Sequence, residues 1–257
     1  MDMGLAGRRV LVTGGSKGLG FAAAREFLAE GARVVFCARD AQEVAAAEAE
    51  LGDGARGVVA DVTDPAQVTR LIEAAVAELG GIDVVVNNAG GANPGTGESI
   101  SEDALRHDYD LKVLTWQRVL RAALPQLRAS DQPRVVNVGS VYAAHPDHRF
   151  FATAVNRAAG ANLTRCWAAE LGREGILVNG VDIGCIETPQ WANIRDKRAP
   201  GTPLAEFLAT TAEEDVPLGR IGRPEEAAAA IVFLASARAS YLTGTTIDVA
   251  GGMGLRV

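Results

Sequence analysis

The segment with the plainest chemical purpose is Thr13-Gly14-Gly15-Ser16-Lys17-Gly18-Leu19-Gly20. Gly14, Gly18 and Gly20 take GxxxGxG spacing between a short apolar run and an amphipathic one. Without side chains the backbone can turn sharply and come close to a pyrophosphate, and the N–H groups and positive dipole end of a following helix complete an anion site. Glycine loops also serve as plain turns. The position between a first strand and a first helix selects dinucleotide binding, with Gly14, Ser16, Lys17, Gly18, Leu19 and Gly20 as the expected contacts.

Other chemistries find less support. Cys37, Cys166 and Cys185 are far apart and show no CxxC spacing, and the three histidines are scattered. Neither a disulfide framework nor a metal site is expected, and a reducing cytoplasm is the default compartment. A net charge of −7 with no basic stripe argues against a nucleic-acid partner. No apolar run approaches the ~18 residues needed to span a bilayer, and Met1 to Arg9 lacks the apolar core of a signal peptide. At 48% hydrophobic and 22% charged residues, the chain has the balance of a folded protein rather than a disordered one.

The elements that must position the loop read as strand–helix alternation. Strands are expected at Arg9–Thr13, Arg33–Cys37, Arg56–Ala60, Asp83–Asn87, Arg134–Val138, Leu177–Asp182 and Thr246–Val249. Most are valine-rich and apolar nearly throughout, as suits a parallel sheet buried on both faces. Helices are expected at Leu19–Glu30, Ala41–Leu51, Pro65–Leu79, Glu102–Leu127, Ala152–Leu171 and Pro224–Leu234, with Gly31 closing the first and Asp64-Pro65 opening the third. The expected fold is α/β: a single-domain, Rossmann-type doubly wound sheet of about seven strands over residues 1–257. Residues 188–216 break the rhythm with three prolines, Pro189, Pro200 and Pro203. Because this stretch follows a strand's carboxyl end, it reads as a substrate lid rather than a surface excursion.

Further motifs recur in order: Asp61-Val62, Asn87-Asn88-Ala89-Gly90, Pro217-Leu218-Gly219-Arg220, and Tyr241-Leu242-Thr243-Gly244 through Asp248, Gly251 and Gly252. With TGxxxGxG at Thr13–Gly20 they cover nearly the whole chain, which resembles the classical short-chain dehydrogenase/reductase family. The resemblance implies NAD(P) binding, a small-molecule substrate and a homo-tetramer or homodimer. It adds Asp61, Val62, Asn88, Ala89 and Gly90 to the cofactor contacts. After the sixth strand the family's Pro-Gly is Ile183-Gly184 here. Gly184, Ile186 and Thr188 retain the means to hold a nicotinamide carboxamide.

In NAD-preferring members the second strand ends in an acid that takes the ribose hydroxyls. Ala38 stands there instead and Arg39 follows. Arg39 and Lys17 offer two cations to a 2′-phosphate, so NADP(H) is expected over NAD(H). The competing reading leaves both as surface charges, with Asp40 pairing Arg39.

The catalytic set departs from the family's Asn, Ser, Tyr and Lys. Ser140 keeps its place in Val136-Asn137-Val138-Gly139-Ser140, but Thr153 falls at the tyrosine position, Arg157 at the lysine and Lys112 at the asparagine. This is an atypical member without the Tyr-xxx-Lys pair. An aliphatic hydroxyl is a far weaker acid than a phenol, so Thr153 is not expected to protonate a substrate alone. Arg157 can still hydrogen-bond the nicotinamide ribose, while Lys112 would disrupt the family's water relay or replace it with a cation. Tyr142 is the expected substitute acid, with His145, Asp147 and His148 following in the same loop. The expected activity is NADP(H)-dependent interconversion of a carbonyl and an alcohol. Two alternatives stay open: redox-neutral chemistry (a lyase, dehydratase or isomerase) with the cofactor structural, and a non-catalytic NADP-binding protein. Arg195, Lys197 and Arg198 leave room for a substrate bearing a carboxylate or phosphate.

Overall fold

The computed structural model describes residues 2–254. Seven strands, β1 (Arg9–Thr13), β2 (Arg33–Ala38), β3 (Ala55–Val59), β4 (Val84–Asn87), β5 (Arg134–Ser140), β6 (Leu177–Ile183) and β7 (Thr246–Val249), form one sheet. Their order is β3-β2-β1-β4-β5-β6-β7, and every neighbouring pair is parallel. Helices α1 (Gly18–Ala29), α2 (Ala41–Leu51), α3 (Pro65–Leu79), α4 (Glu102–Tyr109), α5 (Thr115–Arg128), α6 (Phe151–Leu171), α7 (Gln190–Arg198), α8 (Leu204–Asp215) and α9 (Pro224–Ala235) connect or flank them.

The apolar runs of β1, β2 and β4 are explained by burial on both faces. Val10 and Val12 pack into one layer with Phe27 of α1 and Ile231 of α9. Leu11, between them, packs into the opposite layer with Leu71 of α3 and Leu120 of α5. Helix ends follow local chemistry. The Asp40 and Asp64 carboxylates accept the first free N–H groups of α2 and α3, and α3 stops at Gly80, whose φ of +80° favours glycine.

The stretch from Glu102 to Leu127 is helical throughout, as expected, but a single wide π turn at Asp110–Leu114 divides it into α4 and α5. The turn is clamped by the Thr115 hydroxyl, which donates to the Asp110 carbonyl at 3.1 Å, and by the Arg118–Asp110 ion pair at 2.6 Å. Such turns insert one residue into a helix and re-aim the side chains that follow. Residues 188–216, read as a lid, contain two helices, α7 and α8.

Strand order reverses direction at β1 and β4. Their carboxyl ends lead to helices on opposite faces, which leaves a crevice between them. Among the described residues, no helix is long and apolar enough to cross a membrane.

Leu11 is fully buried where β1 meets both β2 and β4. Leu11→Ala is expected to lower the unfolding free energy by about 2–5 kcal/mol. Urea denaturation at unchanged m-value measures it, and a loss below about 1 kcal/mol would contradict this packing.

Candidate active site

The glycine loop and the end of β4 form one unit. The Asn88 side-chain amide donates to the carbonyls of Thr13 and Gly14, both at 2.9 Å. The Thr13 hydroxyl accepts from the backbone N–H groups of Asn88 at 3.0 Å and Ala89 at 3.1 Å. Gly18 adopts a φ of +57°, and a Cβ on Gly20 would collide with the Gly14 carbonyl and the Asn88 amide. The unit opens on a cavity of about 550 Å³, a volume suited to a cofactor-sized ligand. Gly14, Ser16, Lys17, Gly18, Leu19 and Gly20 line it together with Arg39, Asp61, Val62, Asn88, Ala89 and Gly90. Arg157, Gly184, Ile186 and Thr188 line its inner part, so every expected cofactor contact faces the same space.

The charges at the outer end differ from expectation in one respect. Lys17 does not stand free beside Arg39, because its ammonium pairs with Glu43 at 2.6 Å, and Ser16 donates to the same carboxylate at 3.3 Å. Asp40 is occupied in capping α2, accepting from the N–H groups of Gln42 and Glu43, so Arg39 is the cation left facing the cavity.

At the inner end Ser140 closes β5, its hydroxyl oxygen accepting from the Tyr142 N–H at 3.3 Å. Thr153 and Arg157 lie one turn apart on α6 and both line the cavity. Lys112 lies behind Thr153, fully enclosed. Its ammonium donates to the Thr153 hydroxyl oxygen at 2.8 Å and pairs with Asp108 Oδ1 at 2.7 Å. The Asn156 amide donates to the other oxygen of that carboxylate at 2.9 Å. Burial first, and then the charge of Arg157, push Lys112 down to about 8, with Asp108 opposing. Lys112 is therefore a buried ammonium inside the wall, not a group open to the cavity.

Arg157 donates from Nη1 to the Val138 carbonyl at 2.8 Å, and its guanidinium sits 5.4 Å from the centre of the Trp116 ring. Nε is buried without a partner, and Nη2 lies against Gly90. Burial pushes Arg157 down to about 10, which keeps it charged at neutral pH. Asp182 supplies an opposing charge; burial, then Asp248, push it up to about 6.

The geometry treats the loop after β5 differently from expectation. Tyr142 lines the cavity, but its ring stacks on Phe150 at 5.2 Å, and burial pushes its phenol well above the usual range. It is a weaker acid here than its position in the sequence implied. His145 packs on Gly254, and His148 is exposed beside Asp147; both border a separate shallow groove. The basic residues of α7, Arg195, Lys197 and Arg198, are not among the residues lining the cavity. Arg195 donates to the Thr202 carbonyl, and Arg198 lies against the rings of Phe150 and Phe207. Beside Ser140, Tyr142, Thr153, Arg157 and Gln190, the cavity is lined by the apolar side chains of Phe150, Cys185, Trp191, Ile194 and Met253.

Comparison with known proteins fits this layout. The family model described as enoyl-(acyl carrier protein) reductase matches residues 14–254. The 3beta-hydroxysteroid dehydrogenase 1 of Eggerthella lenta is 38% identical, over 98% of this chain and 95% of its own. The chain belongs to the short-chain dehydrogenase/reductase family. Two solved members superpose closely. A short-chain oxidoreductase of Pseudomonas aeruginosa PAO1, described as containing an atypical catalytic center and solved with NADPH bound, is 37% identical. Its TM-score is 0.90, with 98% of this chain and 99% of that one covered. L-sorbose reductase from Gluconobacter frateurii, complexed with NADPH and L-sorbose, is 31% identical with a TM-score of 0.94 over 100% of both chains.

Against the family pattern, four contributors escaped the sequence reading: Glu43, Asp108, Asn156 and Gln190. Asp108 and Lys112 did carry a signal, since acid and base four apart on a helix face each other. Asn156 sits three residues after Thr153, on the same side of α6. Gln190 accepts from the Ala92 N–H at 2.9 Å and donates to the Gly90 carbonyl at 3.4 Å, a contact that only the fold creates.

Gly20→Ala is expected to weaken dinucleotide binding at least tenfold, because the loop must move to admit the Cβ. Isothermal titration with NADPH measures this; unchanged affinity would place the phosphates elsewhere.

Proposed function

We propose that the protein is an NADP(H)-dependent oxidoreductase that interconverts a carbonyl and an alcohol on an apolar substrate. The observation that carries this reading is the single cavity joining the glycine loop and Arg39 to Ser140, Thr153 and Arg157. The residues fit the cofactor: the Gly20 cradle admits no Cβ, and Arg157, with its Nε buried and unpartnered, lines the same cavity. When bound, NADPH supplies a hydride. Ser140 can donate its hydroxyl hydrogen to the substrate oxygen, since its oxygen already accepts from the Tyr142 N–H. Arg157 can offer N–H groups to ribose hydroxyls while its charge raises the local potential. Arg39 is the candidate partner of a 2′-phosphate, and Glu43 competes with that phosphate for Lys17.

Residues 188–216 act in this reading as the substrate lid. Trp191 and Ile194 of α7 line the cavity with Phe150, Phe207 packs behind Trp191, and Gln190 ties the lid's start to the loop after β4. Its far end is tied by Arg149, which bridges Asp147 at 2.6 Å and Asp215 at 3.0 Å. An aromatic and aliphatic wall with no carboxylate suits a bulky apolar ketone or secondary alcohol better than a sugar.

Absorbance of the reduced nicotinamide, followed over a panel of apolar ketones and sugars, tests the function. NADPH oxidation with the apolar ketones supports it, and none with any ketone contradicts it. The wild type is expected to bind NADPH at least tenfold more tightly than NADH, and Arg39→Asp to reverse that order. Glu43→Gln, which frees Lys17, is expected to strengthen NADPH binding without strengthening NADH binding. Arg157→Ala removes charge-assisted hydrogen bonds worth about 1.5–3 kcal/mol, so NADPH affinity should fall roughly ten- to a hundredfold. Calorimetric titration checks all three, and equal affinity of the wild type for both cofactors would refute the 2′-phosphate role of Arg39.

A further inference from the structure

Carbonyl reduction needs a proton on oxygen, and few groups facing this cavity can give one. Ser140 and Thr153 are poor acids. Arg157 keeps its charge, Tyr142 is a raised phenol, and the Cys185 thiol is pushed up to about 12 by burial and then Asp215. The acid nearest the substrate space stands one hydrogen bond behind it, because the Lys112 ammonium donates to the Thr153 hydroxyl oxygen at 2.8 Å. A hydroxyl that accepts at its oxygen keeps its own hydrogen for another partner. Thr153 lines the cavity and has no second partner among the described residues, so that hydrogen is free for a substrate oxygen.

We propose that Lys112 is the proton reservoir of this site and that the Thr153 hydroxyl conducts its proton to the substrate oxygen, with Asp108 and Asn156 as positioning residues. The proposal rests on the oxidoreductase reading above. In the reducing direction a hydride adds to the carbonyl carbon and the C=O π pair moves to oxygen. That oxygen takes the Thr153 hydroxyl proton, and an Nζ proton of Lys112 replaces it on Oγ1. The products are the alcohol and a neutral Lys112 amine; alcohol oxidation runs the same path in reverse. Thr153 is never ionised, so its weakness as an acid does not limit the step. Loss of the Lys112 proton also removes one positive charge from a pocket that holds Arg157, which offsets the charge of an oxidised nicotinamide. Asp108 at 2.7 Å fixes the ammonium, and Asn156 fixes Asp108.

The charged groups facing Lys112 are Asp108 from α4 and Arg157 from α6. Reduction needs the ammonium, so its rate should fall as pH rises through about 8, while oxidation should rise over the same range. Asp108→Asn removes the group that favours the charged form, so both limbs should move to lower pH.

The chain has only three lysines, Lys17, Lys112 and Lys197, so ¹³Cε-lysine labelling resolves them by NMR in the cofactor-free protein. Lys112 is expected to titrate near 8; a midpoint at 10 or above overturns the proposal. In turnover, Thr153→Val is expected to lose at least a hundredfold while Thr153→Ser keeps most activity and both bind NADPH as the wild type does. A packing role predicts the opposite order, because valine matches the shape of threonine. A wild type that turns over substrate and is indifferent to Thr153→Val overturns the relay alone. A wild type that binds NADPH but reduces nothing in the ketone panel overturns the oxidoreductase reading and the relay with it.

Discussion

An ammonium shut away from water must find acceptors for its protons, and at Lys112 these are the Asp108 carboxylate at 2.7 Å and the Thr153 hydroxyl at 2.8 Å. Burying an ion costs several kcal/mol, and stripping its counter-charge leaves that cost uncompensated. The neighbouring structure meets this demand. The π turn at Asp110–Leu114 belongs to the same stretch as Lys112, and Asn156 holds the second oxygen of Asp108. A second buried cation, Arg157, is tolerated nearby because its charge is spread over a planar group that rests on Trp116 and donates to the Val138 carbonyl. Asp182 balances it from β6.

The cofactor half of the cavity depends on a different constraint, the close approach of two backbones at the point where the strand order reverses. Asn88 spans the gap with bonds to the Thr13 and Gly14 carbonyls, and Gly20 leaves room for them. This half is built almost entirely from main chain and small residues, so it constrains geometry more than charge. Charge enters at its rim, where Arg39, Lys17 and Glu43 set the balance for or against a 2′-phosphate. The two halves meet at Gly90 and Arg157.

Sequence alone revealed whatever depends on local pattern. Helices α2 and α3 begin and end where expected, since Asp40, Asp64-Pro65 and Gly80 act on their own neighbours. The buried strands announced themselves as valine runs, with β5 and β6 running one or two residues longer than read because Ser140 and Ile183 still pair in register. The π turn between α4 and α5 was hidden because a single wide turn barely disturbs apolar periodicity. Tyr142 looked suited to proton donation by its distance from Ser140 along the chain. Its stacking on Phe150 and its desolvation arise from tertiary packing that no local pattern carries. Lys112 was visible as a departure from the family's asparagine, but its burial and its bond to Thr153 depend on α6 crossing the π turn.

The central claim is that this site transfers a hydride and draws the accompanying proton from the protein through a hydroxyl, without a tyrosine. Single-turnover oxidation of NADPH by an apolar ketone, with deuterium at the transferred cofactor position, in the solvent, or in both, tests it most directly. The account predicts that each deuterium slows the same step and that the solvent effect persists when both are present. Oxidation that responds to cofactor deuterium but not to D₂O would show that the proton arrives separately from bulk water and would contradict the account.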